Sequence, residues 1–80
     1  NNLNKSTLIY KSSFDHKIRF EFNNTTANIE IYDLAGRKVQ ENKNISTNTD
    51  YTLNLPSKAV YVVKITYNNG KVISAKVVNN

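Results

Sequence analysis

The chain has no cysteine, tryptophan or methionine, a single proline and only two glycines. Without cysteine, neither a disulfide framework nor a thiolate metal site can be built. Exported proteins also occur without it, so the absence does not fix the compartment. Two glycines, Gly36 and Gly70, allow neither a GxGxxG turn nor a phosphate loop. One histidine, His16, and three separated aspartates, Asp15, Asp33 and Asp50, lack the spacing of a zinc site or an EF-hand. No metal and no cofactor are therefore expected. No apolar run approaches the roughly 18 residues that span a bilayer. The start, NNLNKSTLIY, shows neither an initiator Met nor a basic segment followed by an apolar one. The expectation is a piece excised from a longer protein.

Eighty residues make one small domain with a modest core. The expected domain is residues 1–80, with 1–13 a linker or an N-terminal strand. The formal charge is +5, from eleven Lys and Arg against six Asp and Glu. Only Arg37 and Lys38 are adjacent, and no basic run interleaves with aromatics. The pattern describes a solvated basic surface, and no nucleic-acid partner is expected.

What the chain does have is a period of two. KIRFEF places Ile18, Phe20 and Phe22 on one face, and NIEIY places Ile29 and Ile31. DYTLNL aligns Tyr51, Leu53 and Leu55; VYVVKITY aligns Tyr61, Val63, Ile65 and Tyr67; KVISAKVV aligns Ile73, Ala75 and Val77. Alternation of this kind belongs to half-buried antiparallel strands. STLIY at 6–10 and RKVQE at 37–41 read as two more strands. Between them, NNTTA at 23–27 reads as a hairpin loop. NKNISTNT at 42–49 is a longer polar connection with room for a short strand around Ile45. PSKA at 56–59 is a turn, and NNGK at 68–71 predicts a type I′ hairpin joining the last two strands. About seven short strands without a helical segment predict an all-β fold: a single small antiparallel β-sandwich, immunoglobulin-like, with a flat barrel as the alternative.

Little chemistry is legible. His16 lies beside Asp15 and near Ser12 and Ser13, but neighbours on a strand point to opposite faces, so Asp15 is poorly placed to orient His16. No carboxylate pair is marked out for glycoside hydrolysis. No catalytic residue and no enzyme activity are expected. Four N-x-S/T sequons, at Asn4, Asn23, Asn24 and Asn44, fall in an Asn-rich chain whose loops need no glycan. The corner IEIYDLAGRKVQ at 29–40 joins two strands. Asp33 is suited to accept bonds from the turn's own amides. Gly36 supplies the positive φ that closes a type I turn with a G1 bulge. Arg37 and Lys38 restart the next strand, and Val39 is expected to return to the core.

Three segments in order, IEIYDLAGRKV, LNLPSKAVYVVKI and SAKVV at the chain end, resemble a known family. From Phe14 onward the chain is similar to the type A C-terminal sorting domain of the Bacteroidetes type IX, or Por, secretion system. Two features depart from that family's pattern. Lys11-Ser12-Ser13 follows LIY where the family carries Pro-Asn-Pro, and Ala59 replaces the usual glycine before the YxV strand. The resemblance implies a non-catalytic secretion signal at the end of a cargo protein. It implies passage through the periplasm to the cell surface or extracellular space, with an outer-membrane translocon and a surface sortase as partners. Asp33, Gly36, Arg37 and Tyr61 would be its fold-determining motif residues. The last strand, Lys71 to Val78, would be the handle, with Lys76, Val77 and Val78 the candidate recognition residues read by strand addition. An ordinary role for Lys76, guarding an exposed edge, stands beside that reading. Unpaired edges also allow a strand-mediated dimer. The alternative function is a small immunoglobulin-like adhesin or glycan- or protein-binding module. It would need an exposed aromatic; Tyr51, Tyr61 and Tyr67 fall on apolar faces, whereas Tyr10 and Tyr32 are unassigned.

Overall fold

The computed structural model describes residues 6–80. Among them lie seven strands: β1 (Leu8–Ser12), β2 (Asp15–Arg19), β3 (Thr26–Asp33), β4 (Lys38–Ser46), β5 (Tyr51–Leu53), β6 (Ala59–Tyr67) and β7 (Val72–Asn79), with no helix. They form two antiparallel sheets, one of order β1-β2-β5 and one of order β4-β3-β6-β7. This is the expected antiparallel sandwich. Its order is that of a constant-type immunoglobulin domain with the fourth strand moved from the edge of the first sheet to the edge of the second.

The period-two pattern decides the core. Ile18 and Leu53 of the first sheet, with Phe20 just past β2, pack in one cluster with Ala27, Ile29, Ile31, Tyr61, Val63, Ile65, Tyr67 and Val77 of the second. Each buried aliphatic side chain of this kind contributes about 1.5–3 kcal/mol. β3 and β6 are the central strands of the larger sheet, and they carry the strictest alternation of buried and half-buried residues.

Four expectations need correction. NNTTA is not a hairpin loop: β2 pairs only with β1 and β5, whereas β3 pairs with β4 and β6, so the segment crosses between sheets. The buried Thr47 ties it down, its hydroxyl accepting from Thr25 N at 3.2 Å and donating to Thr25 O at 3.1 Å. Asn24, at φ 58, turns the chain while its amide donates to Asn48 Oδ1 at 2.7 Å. The polar stretch at 42–49 is largely strand, since β4 continues to Ser46. It escapes the alternation rule because it is an edge strand bulged at Asn44 (φ 57), with only Ile45 packed against the core. Asn28 Oδ1 accepts the Asn44 amide at 2.9 Å and stabilises that bulge.

The third correction concerns Val39, which does not return to the core. The register passes from Ile31–Gln40 to Tyr32–Lys38, so Val39 is the extra residue of a bulge and stays 42% exposed. The last is the NNGK turn, which is not type I′. Gly70 alone has positive φ, at 94°; its amide donates to Tyr67 O at 2.9 Å, and Tyr67 N donates to Lys71 O at 2.8 Å. In such a three-residue loop only the last position takes a left-handed backbone, so Asn69 does not, and its side chain accepts the Lys71 amide at 2.9 Å. The hairpin between β6 and β7 forms as expected.

Ion pairs lace the outer surface of the larger sheet. Lys38 Nζ reaches Glu30 at 3.1 Å and Glu41 at 3.2 Å, and Lys64 reaches Glu30 at 3.8 Å. Lys38 holds Glu30 below its ordinary carboxyl value of 4.5, against the opposing effect of partial burial. Lys71 does the same for Glu21, helped by the Thr7 hydroxyl. The unfolded chain takes up these two protons at higher pH than the folded one. Stability present above the ordinary carboxyl range is therefore lost as pH falls through the lowered values. The melting temperature is expected to be flat near neutrality and to fall below about pH 4.5. Glu30→Gln should flatten that fall in a thermal-melt series; an unchanged acid slope would remove Glu30 from the account.

Candidate functional site

The Asp33 corner is a three-residue hairpin loop closed by a G1 bulge. Gly36 N donates to Asp33 O at 3.0 Å, Asp33 N donates to Arg37 O at 2.9 Å, and Gly36 sits at φ 86. The Asp33 carboxylate is fully engaged. Oδ1 accepts from Ala35 N at 3.0 Å and Arg37 N at 2.9 Å, and Oδ2 accepts from Arg37 Nε at 2.9 Å. The Arg37 amide is the main cause that lowers the Asp33 carboxyl, with partial desolvation opposing it and the Arg37 side chain adding to it. A carboxylate so occupied serves the turn and is not presented to a ligand or substrate. A Cβ on Gly36 would meet nothing within 4 Å, so substitution there costs backbone strain alone. Gly36→Val is expected to destabilise by about 1 kcal/mol or more, read as a lower midpoint in urea. An unchanged midpoint would contradict the assignment.

Tyr61 forms a second corner. Its buried ring carries a hydroxyl that donates to Ser57 O at 3.0 Å and accepts from Ser57 N at 3.1 Å; the Ser57 hydroxyl lies 2.9 Å away. A tyrosine near the start of the sixth strand, bonded to backbone four residues upstream, is the tyrosine corner of immunoglobulin-like sandwiches. It shapes the turn that begins at Pro56. Ala59, where a glycine was the family expectation, opens β6 without positive φ.

These residues converge. The register aligns Asp33 with Tyr61 and Tyr61 with Val77, one row across β3, β6 and β7. The adjacent row aligns Tyr32, Val62 and Lys76, and Val60 faces Val78. Both corners and the end of β7 therefore occupy one end of the larger sheet. β7 is an edge of that sheet. Counting outward from the Tyr67–Lys71 bond, hydrogen-bonded pairs fall at Ile73, Ala75, Val77 and Asn79. The backbone groups of Val72, Ser74, Lys76 and Val78 thus face away from β6. Val77 is buried against the core, so of the three candidate recognition residues only Lys76 and Val78 offer side chains to solvent.

The other candidates lie apart. Ser12 faces Asp15 across the β1–β2 hairpin, whereas His16 faces Lys11 and Leu53. Among the described residues no group of three His, Asp or Glu is arranged to hold a metal ion. Sequence reasoning missed two clusters. The first joins Tyr10, which donates to Asp50, to Arg19, whose guanidinium lies 5.1 Å from the Tyr10 ring centre and 3.7 Å from Asp50. Asp50 raises the Tyr10 phenol above its ordinary value. A groove of about 510 Å³ opens beside them, lined by Leu8, Arg19, Phe20, Asn48 and Asp50. The second cluster gathers Thr7, Glu21, Tyr67 and Lys71. Both join residues tens of positions apart, and nothing in local periodicity signals such pairs.

The fold and its two corners define an immunoglobulin-like β-sandwich with a free edge strand. A family model described as Domain of unknown function (DUF8694) matches residues 1–79, and the chain belongs to that family. No curated protein matches it.

Proposed function

We propose that this is a non-catalytic C-terminal sorting domain, which directs a cargo protein through the type IX secretion system to the cell surface, where a sortase removes it. The supporting observation is the way the three motif segments fold. IEIYDLAGRKV covers the second half of β3, its corner and the start of β4; LNLPSKAVYVVKI runs from the last residue of β5 through most of β6; SAKVV lies in β7, an edge of its sheet. They place the two corners beside an edge strand whose outer backbone groups have no strand partner among the described residues. A translocon component adds a strand to that edge, bonding the backbone at Ser74, Lys76 and Val78, with the Lys76 charge setting register. The test fuses residues 1–80 to a periplasm-directed reporter in a bacterium with a type IX system. Surface delivery that depends on the translocon is expected. A folded fusion that stays in the periplasm would overturn the reading.

The groove lined by Arg19, Asn48 and Asp50 favours a second reading, a glycan-binding module, since it offers charged and amide groups with the half-buried Tyr10, bonded to Asp50, standing beside it. A specific glycan-array hit, lost in Asp50→Ala, would select it over export.

A further inference from the structure

Among the described residues, the two most exposed large apolar side chains and three lysines without an ion pair lie toward one end of the sandwich. Phe14, at the tip of the β1–β2 hairpin, is 93% exposed, and Leu34, in the β3–β4 loop, is 67% exposed. The two tips belong to different sheets but share an end. Phe14, Pro56 and Asn79 line one depression, Asn79 pairs with Ala59, and Asp33 beside Leu34 pairs with Tyr61 two residues further on. Val78, 50% exposed, lies in the same region. A phenylalanine left almost wholly in water gains nothing for folding, and with Leu34 and Val78 at the same end it leaves apolar area open to an apolar partner.

The charged side chains without an ion pair among the described residues are mostly lysines. Glu21, Glu30, Glu41, Asp33 and Asp50 all have a cationic partner. Among the described residues, Lys11, Lys17, Lys58 and Lys76 make no ion pair, and Asp15 is the one carboxylate without one. Lys11 stands next to the β1–β2 hairpin, and Lys58 in the turn before β6. Lys11 and Lys76 also share the groove of about 330 Å³ where β1 and β7 approach, with Ile9 and Val78 as its apolar lining and His16 beside them. Cations above an apolar lining, next to two protruding apolar tips, match the order of groups in an anionic lipid surface: phosphate outside, acyl chain beneath.

We propose that this end of the sandwich seats on an anionic lipid bilayer. Phe14 and Leu34 insert at the boundary between headgroups and acyl chains, while Lys11, Lys58 and Lys76 contact headgroup phosphates. The inference stands independently of the export reading.

Co-sedimentation with vesicles tests it. The domain is expected to pellet with phosphatidylglycerol mixed into phosphatidylcholine, and to remain in solution with phosphatidylcholine alone. Phe14→Ser with Leu34→Ser should weaken partitioning by about tenfold or more. Lys11→Glu and Lys58→Glu should each weaken it by about fivefold or more, and added salt should act in the same direction. All four changes are on the surface, so melting temperatures should hold. Val72→Ser, at the opposite end, should bind as the parent does. Equal binding to neutral vesicles, no binding to anionic ones, or full binding by the Phe14/Leu34 variant would overturn the proposal. So would sedimentation velocity in which that double change abolishes self-association, since the surface would then be a contact between copies of this chain.

Discussion

Tyr67→Ala is expected to leave the domain largely unfolded. The ring is 2% exposed and meets Phe22 edge-on at 4.9 Å and Phe20 at 6.1 Å. Truncating a buried aromatic costs about 3–5 kcal/mol, and a domain of this size has roughly that much stability in total. The hydroxyl adds a separate contribution. It accepts from Glu21 N at 3.1 Å and lies 2.6 Å from Thr7 Oγ1. Glu21 in turn pairs with Lys71 at 3.0 Å, so the phenol sits inside a network spanning the start of the chain, the end of β2 and the β6–β7 loop. Tyr67→Phe keeps the ring and strands the Glu21 amide, which predicts a loss of about 1–3 kcal/mol. Urea titration of both variants should rank them parent, Phe, Ala. An alanine variant as stable as the parent would show that the core closes without this ring.

Lys76→Pro is expected to abolish surface delivery of a fused reporter while sparing the fold. The Lys76 amide faces away from β6, so a proline there removes no rung of the β6–β7 ladder. It does remove a donor from the free edge and places a ring against any incoming strand. Val77→Pro is the contrasting change. That amide lies in the pair with Tyr61, and the side chain is buried, so it should unfold the domain. Lys76→Ala separates charge from backbone: if register depends on the ammonium, delivery falls part of the way. Undiminished delivery by a folded Lys76→Pro fusion would mean that recognition uses another surface.

The alternating segments made the architecture readable. Wherever a strand contributes one face to the core, as β3 and β6 do, burial enforces the period that reveals it. β4 escaped because an edge strand needs few core side chains; its polar sequence contains a strand held by pairing with β3 and by the Asn28–Asn44 bond. The crossing at 23–27 was misread because turn composition does not say to which sheet the next strand returns. The Asp33 corner was legible down to its bulge, since Asp at the first position and Gly at the fourth have separate local uses. The NNG turn was misassigned because Asn-Gly suits two hairpin types, and only the register distinguishes them. Of the candidate recognition residues, the period of two already set Val77 on the inward face, where it is buried, while the outward amides of Lys76 and Val78 required the register.

Moving the fourth strand to the larger sheet leaves the smaller one with β1, β2 and a β5 of three residues. Cooperative protection is then unevenly shared. Amides of Leu53 and of β2 should exchange with deuterated solvent through a low-energy partial opening, whereas those at the centre of β3 and β6 should wait for global unfolding. The domain would thus come apart in two stages under mechanical or chemical load, the small sheet peeling first and exposing Ile18 and Phe20 while the four-stranded sheet persists.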